Sequence, residues 1–343
     1  MKKHYNTLYV TTQGAYLAAE GETVVVRHEG KDRGRFPLHM LESIVCFGQV
    51  SCSPFLVGRC AERGIGISFL SERGRFLARV QGPVSGNVLL RRTQYRLADD
   101  PQAAARVARS VVLAKLANSR TVLMRAVRDH GGTPGVQRLR EAAAALARAV
   151  DRLDGAPELD AIRGVEGEAA RTYFQVFDDL IVAQKDGFRF SGRTRRPPRD
   201  NVNALLSFVY TILTHDTASA LEGVGLDPQV GFLHRDRPGR PGLALDLVEE
   251  FRAFMADRLV LSLVNRRQLS PSRFIEGETG GVWMDDDTRR AVLVAYQERK
   301  QEEIRHPFLE ETTTVGMLWH LQALLLARYL RGDLDAYPAF VWR

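Results

Sequence analysis

Four side chains suited to binding a divalent metal ion lie in three segments of this 343-residue chain. They are Glu166 in RGVEGEAARTYF, His234 in GFLHRDRPGRPG, and Asp246 and Glu249 in LALDLVEEFR. Carboxylate oxygens and an imidazole nitrogen are ligands that Mg²⁺ or Mn²⁺ accepts. The chain also carries a net charge of +7. A basic protein with such ligands is predicted to perform metal-assisted chemistry on phosphates.

The spacing of the C-terminal acids places them together. Asp246 and Glu249 are three residues apart on a predicted helix, so their side chains project from one face. His234 lies twelve residues upstream in a stretch rich in Pro and Gly, and we expect the chain to fold back there and aim the imidazole at that face. Glu250 directly follows Glu249, so the sequence leaves open which of the two glutamates binds the ion.

Small residues surround Glu166 on its predicted helix. Gly164 and Gly167 flank it, and Ala169 and Ala170 follow one turn later. Exposed helix faces usually carry longer and more charged side chains, so this pattern predicts that another element approaches the Glu166 face closely.

A second candidate metal site, His215-Asp216, matches the HD dipeptide of metal-dependent phosphohydrolases. Those sites need a further upstream histidine and a downstream aspartate in helical register. The nearest upstream histidine, His130, falls in a predicted turn, which favours a structural role for the dipeptide.

The positive charge is supplied mainly by 42 arginines against 6 lysines. Arginine binds phosphate through two parallel hydrogen bonds, although a GC-rich genome also raises the arginine content. The basic balance favours a nucleic-acid partner, and the alternative for the basic loops is a solvated surface. The predicted DNA contacts are Arg193, Arg195, Arg196 and Arg199 in KDGFRFSGRTRRPPRD, and Arg235, Arg237 and Arg240 beside His234.

Several classes of protein are excluded. Cys46, Cys52 and Cys60 form no CxxC pair and are odd in number, which argues against a zinc finger and a disulfide framework. The first residues, MKKHYNTLYVTT, contain no apolar core of a signal peptide. No run of about 18 uncharged apolar residues predicts a membrane span. We therefore expect a cytoplasmic protein.

The pattern of the chain changes near residue 80. Residues 1–80 contain short runs rich in β-branched and aromatic residues, interrupted by one helical stretch, SPFLVGRCAERG. Residues 81–87 contain Gly and Pro and are the predicted linker. Residues 88–343 show helical periodicity. The sequence thus predicts an α+β protein with a small N-terminal all-β domain followed by a larger all-α catalytic domain.

The motifs and their order resemble a known family, the universal CRISPR adaptation integrase. The segments GVEG, NALLSFVY, GFLHRDRPGRPGLALDLVEEFR and QALLLARYLRG look most like its type I-C branch, and the resemblance covers essentially the whole chain. In that family the metal ligands are a glutamate in an IEG segment, the histidine of GFxH and an acidic residue three positions after an aspartate. By resemblance these are Glu166, His234 and Glu249, with Asp246 as an auxiliary catalytic acid. Many members have Asp at the last position, where this chain has Glu.

The resemblance implies a metal-dependent DNA endonuclease and integrase that uses Mg²⁺ or Mn²⁺. Such a protein binds double-stranded DNA, both the spacer precursor and the repeat, and inserts new spacers by 3′-hydroxyl attack on repeat phosphodiesters. It implies a homodimer that works with a small ferredoxin-fold partner protein, with dimer and partner contacts in the N-terminal domain. Two alternatives remain: a stand-alone metal-dependent nuclease acting on branched or damaged DNA, and a non-enzymatic dimeric DNA-binding scaffold.

Overall fold

The structure is a computed structural model that describes residues 6–72, 74, 76–80, 82, 88–132, 134–154 and 158–342. The chain forms two compact units. The predicted linker, residues 81–87, lies outside the described residues except for Gly82. None of the helices in the described part of the chain is long and apolar enough to cross a membrane.

The first unit contains two four-stranded sheets within the described residues. One sheet has the order β1 (Asn6–Val10), β5 (Leu41–Phe47), β7 (Gly66–Leu70) and β8 (Phe76–Val80), and the other has β4 (Lys31–Pro37), β3 (Thr23–His28), β2 (Tyr16–Glu20) and β6 (Ser51–Cys52). Helix α1 (Pro54–Glu62) begins after Ser53, whose side chain accepts a hydrogen bond from Leu56 N. The core combines Leu17 and Val24 of one sheet, Ile44 of the other, and apolar residues of α1.

The second unit is predominantly helical. Its helices are α2 (Val88–Asp99), α3 (Pro101–Asp129), α4 (Val136–Asp154), α5 (Leu159–Gln175), α6 (Asn201–Gly223), α7 (Gly242–Phe251), α8 (Arg258–Asn265) and α10 (Leu318–Leu330), and the short hairpins are β9 (Phe274–Glu276) with β10 (Val282–Met284) and β11 (Glu303–Arg305) with β12 (Thr312–Thr314). A π-helical segment, Arg252–Asp257, joins α7 to α8. The prediction of an N-terminal β region followed by a helical region is confirmed.

The remaining helix, α9 (Asp286–Gln301), belongs to the first unit, together with residues 315–317, although the sequence predicts one helical domain over 88–343. Val292, Leu293 and Tyr296 are buried on α9. Gln297 Nε2 donates to Thr7 O of β1 at 2.7 Å. Periodicity identifies such a helix but not the unit against which it packs.

Helix α3 organises the second unit. Asp100 caps its first turn by accepting a hydrogen bond from Gln102 N, and Pro101 occupies the first helical position, where a missing N–H costs nothing. Alanines on its buried face let neighbouring helices approach closely, and α3 packs against α4, α5 and α7. The helices that carry Glu166 and Glu249 are therefore held by one common partner.

Candidate active site

Asp246 fixes the loop that carries His234. Its Oδ2 accepts hydrogen bonds from Phe232 N at 2.6 Å and Leu233 N at 2.9 Å, and its Oδ1 accepts one from His234 N at 2.9 Å. Asp246 is 1% exposed. A buried carboxylate that accepts hydrogen bonds from three backbone N–H groups holds the loop firmly against the start of α7.

Two glycines allow the loop to lie this close to α7. A Cβ atom at Gly231 would lie 2.8 Å from Asp246 Oδ2, and one at Gly242 would lie 2.6 Å from Gln229 O. Gly242 N also donates to Gln229 O at 2.9 Å. Any side chain at these positions would push the loop away from Asp246.

The same aspartate orients the His234 ring. Nδ1 of His234 lies 2.6 Å from Asp246 Oδ1. Because a carboxylate only accepts, Nδ1 carries the proton, and in the neutral ring Nε2 is left with a free lone pair. Nε2 lies 4.0 Å from Glu249 Oε1. The imidazole is thus held in the tautomer that can bind a metal ion, with the binding nitrogen beside Glu249.

Lys115 of α3 brings Glu166 and Glu249 together. Its Nζ contacts Glu166 Oε1 and lies 2.8 Å from Glu249 Oε2. Arg252 adds a second positive charge, with its NH2 group 3.3 Å from Glu249 Oε1. Glu166 of α5, His234 of the loop and Glu249 of α7 therefore lie in one small region. The region is occupied by an ammonium group.

The charges around Glu249 keep it ionised. Burial raises the pKa of this carboxyl, but Arg252, Lys115 and His234 together outweigh burial and hold the pKa well below its ordinary value. The contact of Oε2 with Lys115 Nζ is close but does not have hydrogen-bond geometry, so Oε2 is buried without a hydrogen bond. Buried acceptors without a hydrogen bond are uncommon in folded proteins.

Glu250 faces the opposite side of α7. Its carboxyl accepts from Tyr337 OH at 2.6 Å, from Gln322 Nε2 at 3.0 Å and from Phe340 N at 2.7 Å. Burial raises the pKa of Glu250 to about 7, against the effect of these hydrogen bonds. Glu249, and not Glu250, therefore faces Glu166 and His234.

Among the described residues, no group of three or more His, Cys, Asp and Glu side chains is already spaced to hold a metal ion. The Lys115 ammonium group lies between the Glu166 and Glu249 carboxylates in this structure.

The expectation about the glycines beside Glu166 is wrong. A Cβ atom at Gly164 or Gly167 would meet no atom within 4 Å, so no element approaches there. Ala169 and Ala170 instead line a cavity of about 50 Å³ beside Lys115 and Glu166. The cavity is large enough for a few water molecules.

A buried polar cluster forms another wall of this cavity. Asp257 accepts hydrogen bonds from Tyr210 OH and, at 3.0 Å, from Tyr173 OH. Burial raises the pKa of Asp257 to about 6. The guanidinium of Arg252 lies 4.8 Å from the centre of the Tyr210 ring, which links this cluster to Glu249.

The arginines predicted to bind DNA fall into two classes. Arg193 is used inside the fold: it donates to Asn203 Oδ1 at 2.7 Å and Ser207 Oγ at 3.0 Å, and it stacks on Tyr210 at 5.3 Å. Partial burial lowers the pKa of Arg193. Both terminal amino groups of Arg193 thus have partners inside the protein, which gives this arginine a structural role. The exposed members are Arg195, Arg196, Arg199, Arg235 and Arg237, and Arg240 is half-buried.

Charge couples the two basic loops. Partial burial lowers the pKa of Arg240, and the nearby charges of Arg237 and Arg195 lower it further, whereas Asp246 and Glu249 raise it. Arg240 thus feels the charges of both Arg195 and Glu249. Arg235 instead pairs with Asp160 at 3.0 Å.

Lys115 and Arg252 are the site residues that sequence reasoning missed. Lys115 stands between the buried residues Ala114 and Leu116 in an apolar stretch of α3. A lysine in such a stretch indicates a buried anionic partner, which is the signal that would have identified it.

The sequence of this chain is similar to those of known proteins. Residues 8–298 match the family described as CRISPR associated protein Cas1. The chain is similar to a CRISPR-associated endonuclease Cas1 of Chlorobaculum tepidum, with 58% identity over 343 residues that cover 100% of both chains.

Two solved structures share the fold. A casposase bound to its integration product has a TM-score of 0.85 at 22% identity, covering 98% of this chain and 94% of that chain. A Cas6-RT-Cas1–Cas2 complex has a TM-score of 0.82 at 22% identity, covering 99% of this chain and 36% of that chain. The family match and the full-length relative show that this chain belongs to the Cas1 family of CRISPR-associated proteins.

Proposed function

We propose that this protein is a metal-dependent DNA endonuclease and integrase that inserts new spacers into a CRISPR array. The observation that carries the proposal is that Glu166 and Glu249 share the Lys115 ammonium group and that His234 Nε2 lies 4.0 Å from Glu249 Oε1. The full-length relative is named an endonuclease, and a protein of the same fold is bound to an integration product. We further propose that the chain belongs to the type I-C branch of the family.

Glu166, His234 and Glu249 would hold the divalent ion, which we propose to be Mg²⁺ or Mn²⁺. Their donors fit it: two carboxylates and one imidazole suit such ions, and the buried Glu249 Oε2 has no hydrogen bond. A bound ion would supply Lewis-acid activation of the scissile phosphate.

We infer that Asp246 is a positioning residue and not the catalytic acid that the sequence predicts. Its oxygens are occupied by three backbone N–H groups and the His234 ring, so its effect on the reaction passes through the orientation of the imidazole. It keeps Nδ1 protonated and leaves the Nε2 lone pair available.

The exposed arginines Arg195, Arg196, Arg199 and Arg237 would hold the DNA phosphates, and Arg240 would assist beside the site. Replacing the first three by Gln is expected to weaken duplex binding for every sequence. The slope of log K against log salt should become shallower by up to about 0.9 for each DNA phosphate that the variant no longer neutralises. A control pair on α4, Arg140→Gln with Arg148→Gln, removes exposed charge elsewhere. An unchanged slope in the loop variant would mean that the loop is only a solvated surface.

We propose a homodimer that works with a small ferredoxin-fold partner, with dimer and partner contacts in residues 1–80. The Cas6-RT-Cas1–Cas2 complex supports a Cas2 partner.

Integrase and plain nuclease share the same metal-bound phosphate, and they differ in the attacking oxygen. An integrase presents a DNA 3′-hydroxyl that outcompetes water through proximity. Purified protein, given Mn²⁺, the partner, a labelled duplex and a repeat-containing plasmid, is expected to attach the label covalently to the plasmid. A dideoxy 3′ end should stop the labelling and leave nicking by water.

Nicking without label transfer, under conditions in which the partner binds, would contradict the integrase proposal and support a stand-alone nuclease. Duplex binding with neither cleavage nor label transfer in the presence of any divalent metal ion would support a non-enzymatic DNA-binding scaffold.

A further inference from the structure

We propose that Lys115 is a positioning residue whose ammonium group occupies the metal position in the metal-free protein and must leave when the ion enters. This inference rests on the proposed function, because it concerns the same three ligands. Nζ contacts Glu166 Oε1 and lies 2.8 Å from Glu249 Oε2, so it already lies between the two carboxylates that would bind the ion.

The ammonium group and a divalent ion cannot share this position. Two positive charges a few ångströms apart repel strongly where water is scarce, and Lys115 is 12% exposed beside a Glu249 that is 3% exposed. Both cations also need the same carboxylate oxygens. Occupancy by one therefore lowers the affinity for the other.

Loss of the Lys115 bridge would weaken the site if the two carboxylates then moved apart. The packing of the helices prevents this movement. Glu166 and Glu249 lie on α5 and α7, which both pack against α3. Glu249 is also held by Arg252 at 3.3 Å. The helices keep the carboxylates convergent without Lys115, so the loss of competition outweighs the loss of a bridge.

The displaced side chain has a place to go. Lys115 lines the cavity of about 50 Å³, whose other polar walls include Ser119 and Asp257. A flexible four-carbon stem can swing its ammonium group from the carboxylates into this space and stay close to oxygen acceptors. Ion entry then requires a side-chain rotation and no movement of a helix.

The test is the Mn²⁺ affinity of the full-length protein without DNA, measured by titration with detection of free Mn²⁺. Lys115→Met is expected to bind Mn²⁺ roughly tenfold more tightly than wild type, because no ammonium group then competes with the ion. A change of this size is typical when one bound group lowers the affinity for another. Lys115→Arg keeps the charge and should bind as weakly as wild type. Lys185→Met is the matched control, since Lys185 is exposed and pairs with Asp178 at 3.2 Å, and it should leave the affinity unchanged.

Equal or weaker binding by Lys115→Met would overturn the inference and make Lys115 a support for the ligands. Failure of the proposed metal site gives a different result: Mn²⁺ binding that is absent in wild type, or present and unaffected by Glu249→Gln. That result overturns the inference as well, because no ion would then compete at this position.

A second measurement uses the wild-type chain and does not depend on a variant that folds. Acylation of lysine amines, followed by mass spectrometry, should label Lys115 poorly without metal because its Nζ is enclosed by two carboxylates. Saturating Mn²⁺ should increase Lys115 labelling several-fold relative to the exposed Lys185. Labelling of Lys115 that stays constant or falls with Mn²⁺ would contradict its displacement.

Discussion

Glu249 and Glu250 are consecutive buried residues of α7, and their surroundings differ sharply. Glu249 faces Lys115, Arg252 and His234, and these positive or polarisable groups lower its pKa. Glu250 faces neutral donors from the C-terminal part of the chain, and its pKa rises to about 7. Burial opposes ionisation in both cases, so the partners decide the charge.

The comparison separates a functional acid from a structural one. A buried carboxylate kept ionised by nearby cations can exchange one cation for another, which a metal site requires. A buried carboxyl satisfied by Tyr337, Gln322 and Phe340 N instead ties α7 to the C-terminal segment. Asn118 adds to the same connection by accepting from Trp342 N and donating to Glu250 O.

The largest expected effect is the loss of catalysis caused by the substitution Glu249→Gln. Loss of the charged ligand should lower metal-dependent DNA cleavage by more than about a hundredfold, beyond the usual cost of losing an outer-shell partner. Cleavage rates at saturating Mn²⁺ measure this effect. Glu250→Gln is the matched control and should stay within a few-fold of wild type; the reverse ranking of the two variants would place the ligand at Glu250.

Glu250→Ala should instead act on stability. Truncation leaves Tyr337 OH, Gln322 Nε2 and Phe340 N without their acceptor in the interior. We expect a loss of about 4 kcal/mol in the free energy of unfolding, measured by denaturant titration. A loss below about 1 kcal/mol would mean that this cluster does not stabilise the fold.

The raised pKa of Glu250 also predicts a pH dependence. The folded carboxyl stays protonated up to about pH 7, whereas the unfolded one loses its proton near its ordinary value of 4.5. The folded state therefore binds more protons in this window, and stability should fall as pH rises through it, by at most about 3 kcal/mol from this group. Glu250→Gln should reduce the slope of the free energy of unfolding against pH. The remaining slope should include the contribution of Asp257, whose pKa is raised to about 6.

Stability profiles of wild type and Glu250→Gln between pH 4.5 and 7 measure the difference. Parallel profiles would show that Glu250 is ionised in the folded protein, and the contrast with Glu249 would disappear.

A smaller effect is expected from Asp246→Asn. The amide keeps the size of the side chain but can no longer fix the His234 tautomer or accept all of its hydrogen bonds. Cleavage should fall by about 10- to 100-fold, together with the Mn²⁺ affinity. A complete loss of activity with unchanged metal affinity would give Asp246 a direct catalytic role.

Local patterns predicted much of the fold. Helices α3, α4 and α6 follow from periodicity, and α1 was identified from its short apolar pattern. In the first 80 residues, two strands were missed for physical reasons: β4, KDRGRFP, is charged and largely exposed, and β6 has only two residues. The short hairpins β9–β10 and β11–β12 were missed in the region predicted to be all-α.

The site was predictable only in part. The types and spacing of His234, Asp246 and Glu249 indicated that they share one face, and the family resemblance added Glu166. The roles of Lys115 and Glu250, in contrast, depend on partners distant in sequence. Glu250 is 72 residues from Gln322, and Lys115 is 51 residues from Glu166. Long-range contacts of this kind leave little trace in a local pattern.

The most direct measurement of the central claim is anomalous diffraction from crystals of the protein soaked in Mn²⁺. We predict one anomalous peak within bonding distance of Glu166, His234 Nε2 and Glu249, with Lys115 Nζ moved away from both carboxylates and Glu250 unchanged beside Tyr337. A crystal saturated with Mn²⁺ that shows no peak there, with Lys115 still between Glu166 and Glu249, would contradict the assignment of this site as the metal centre.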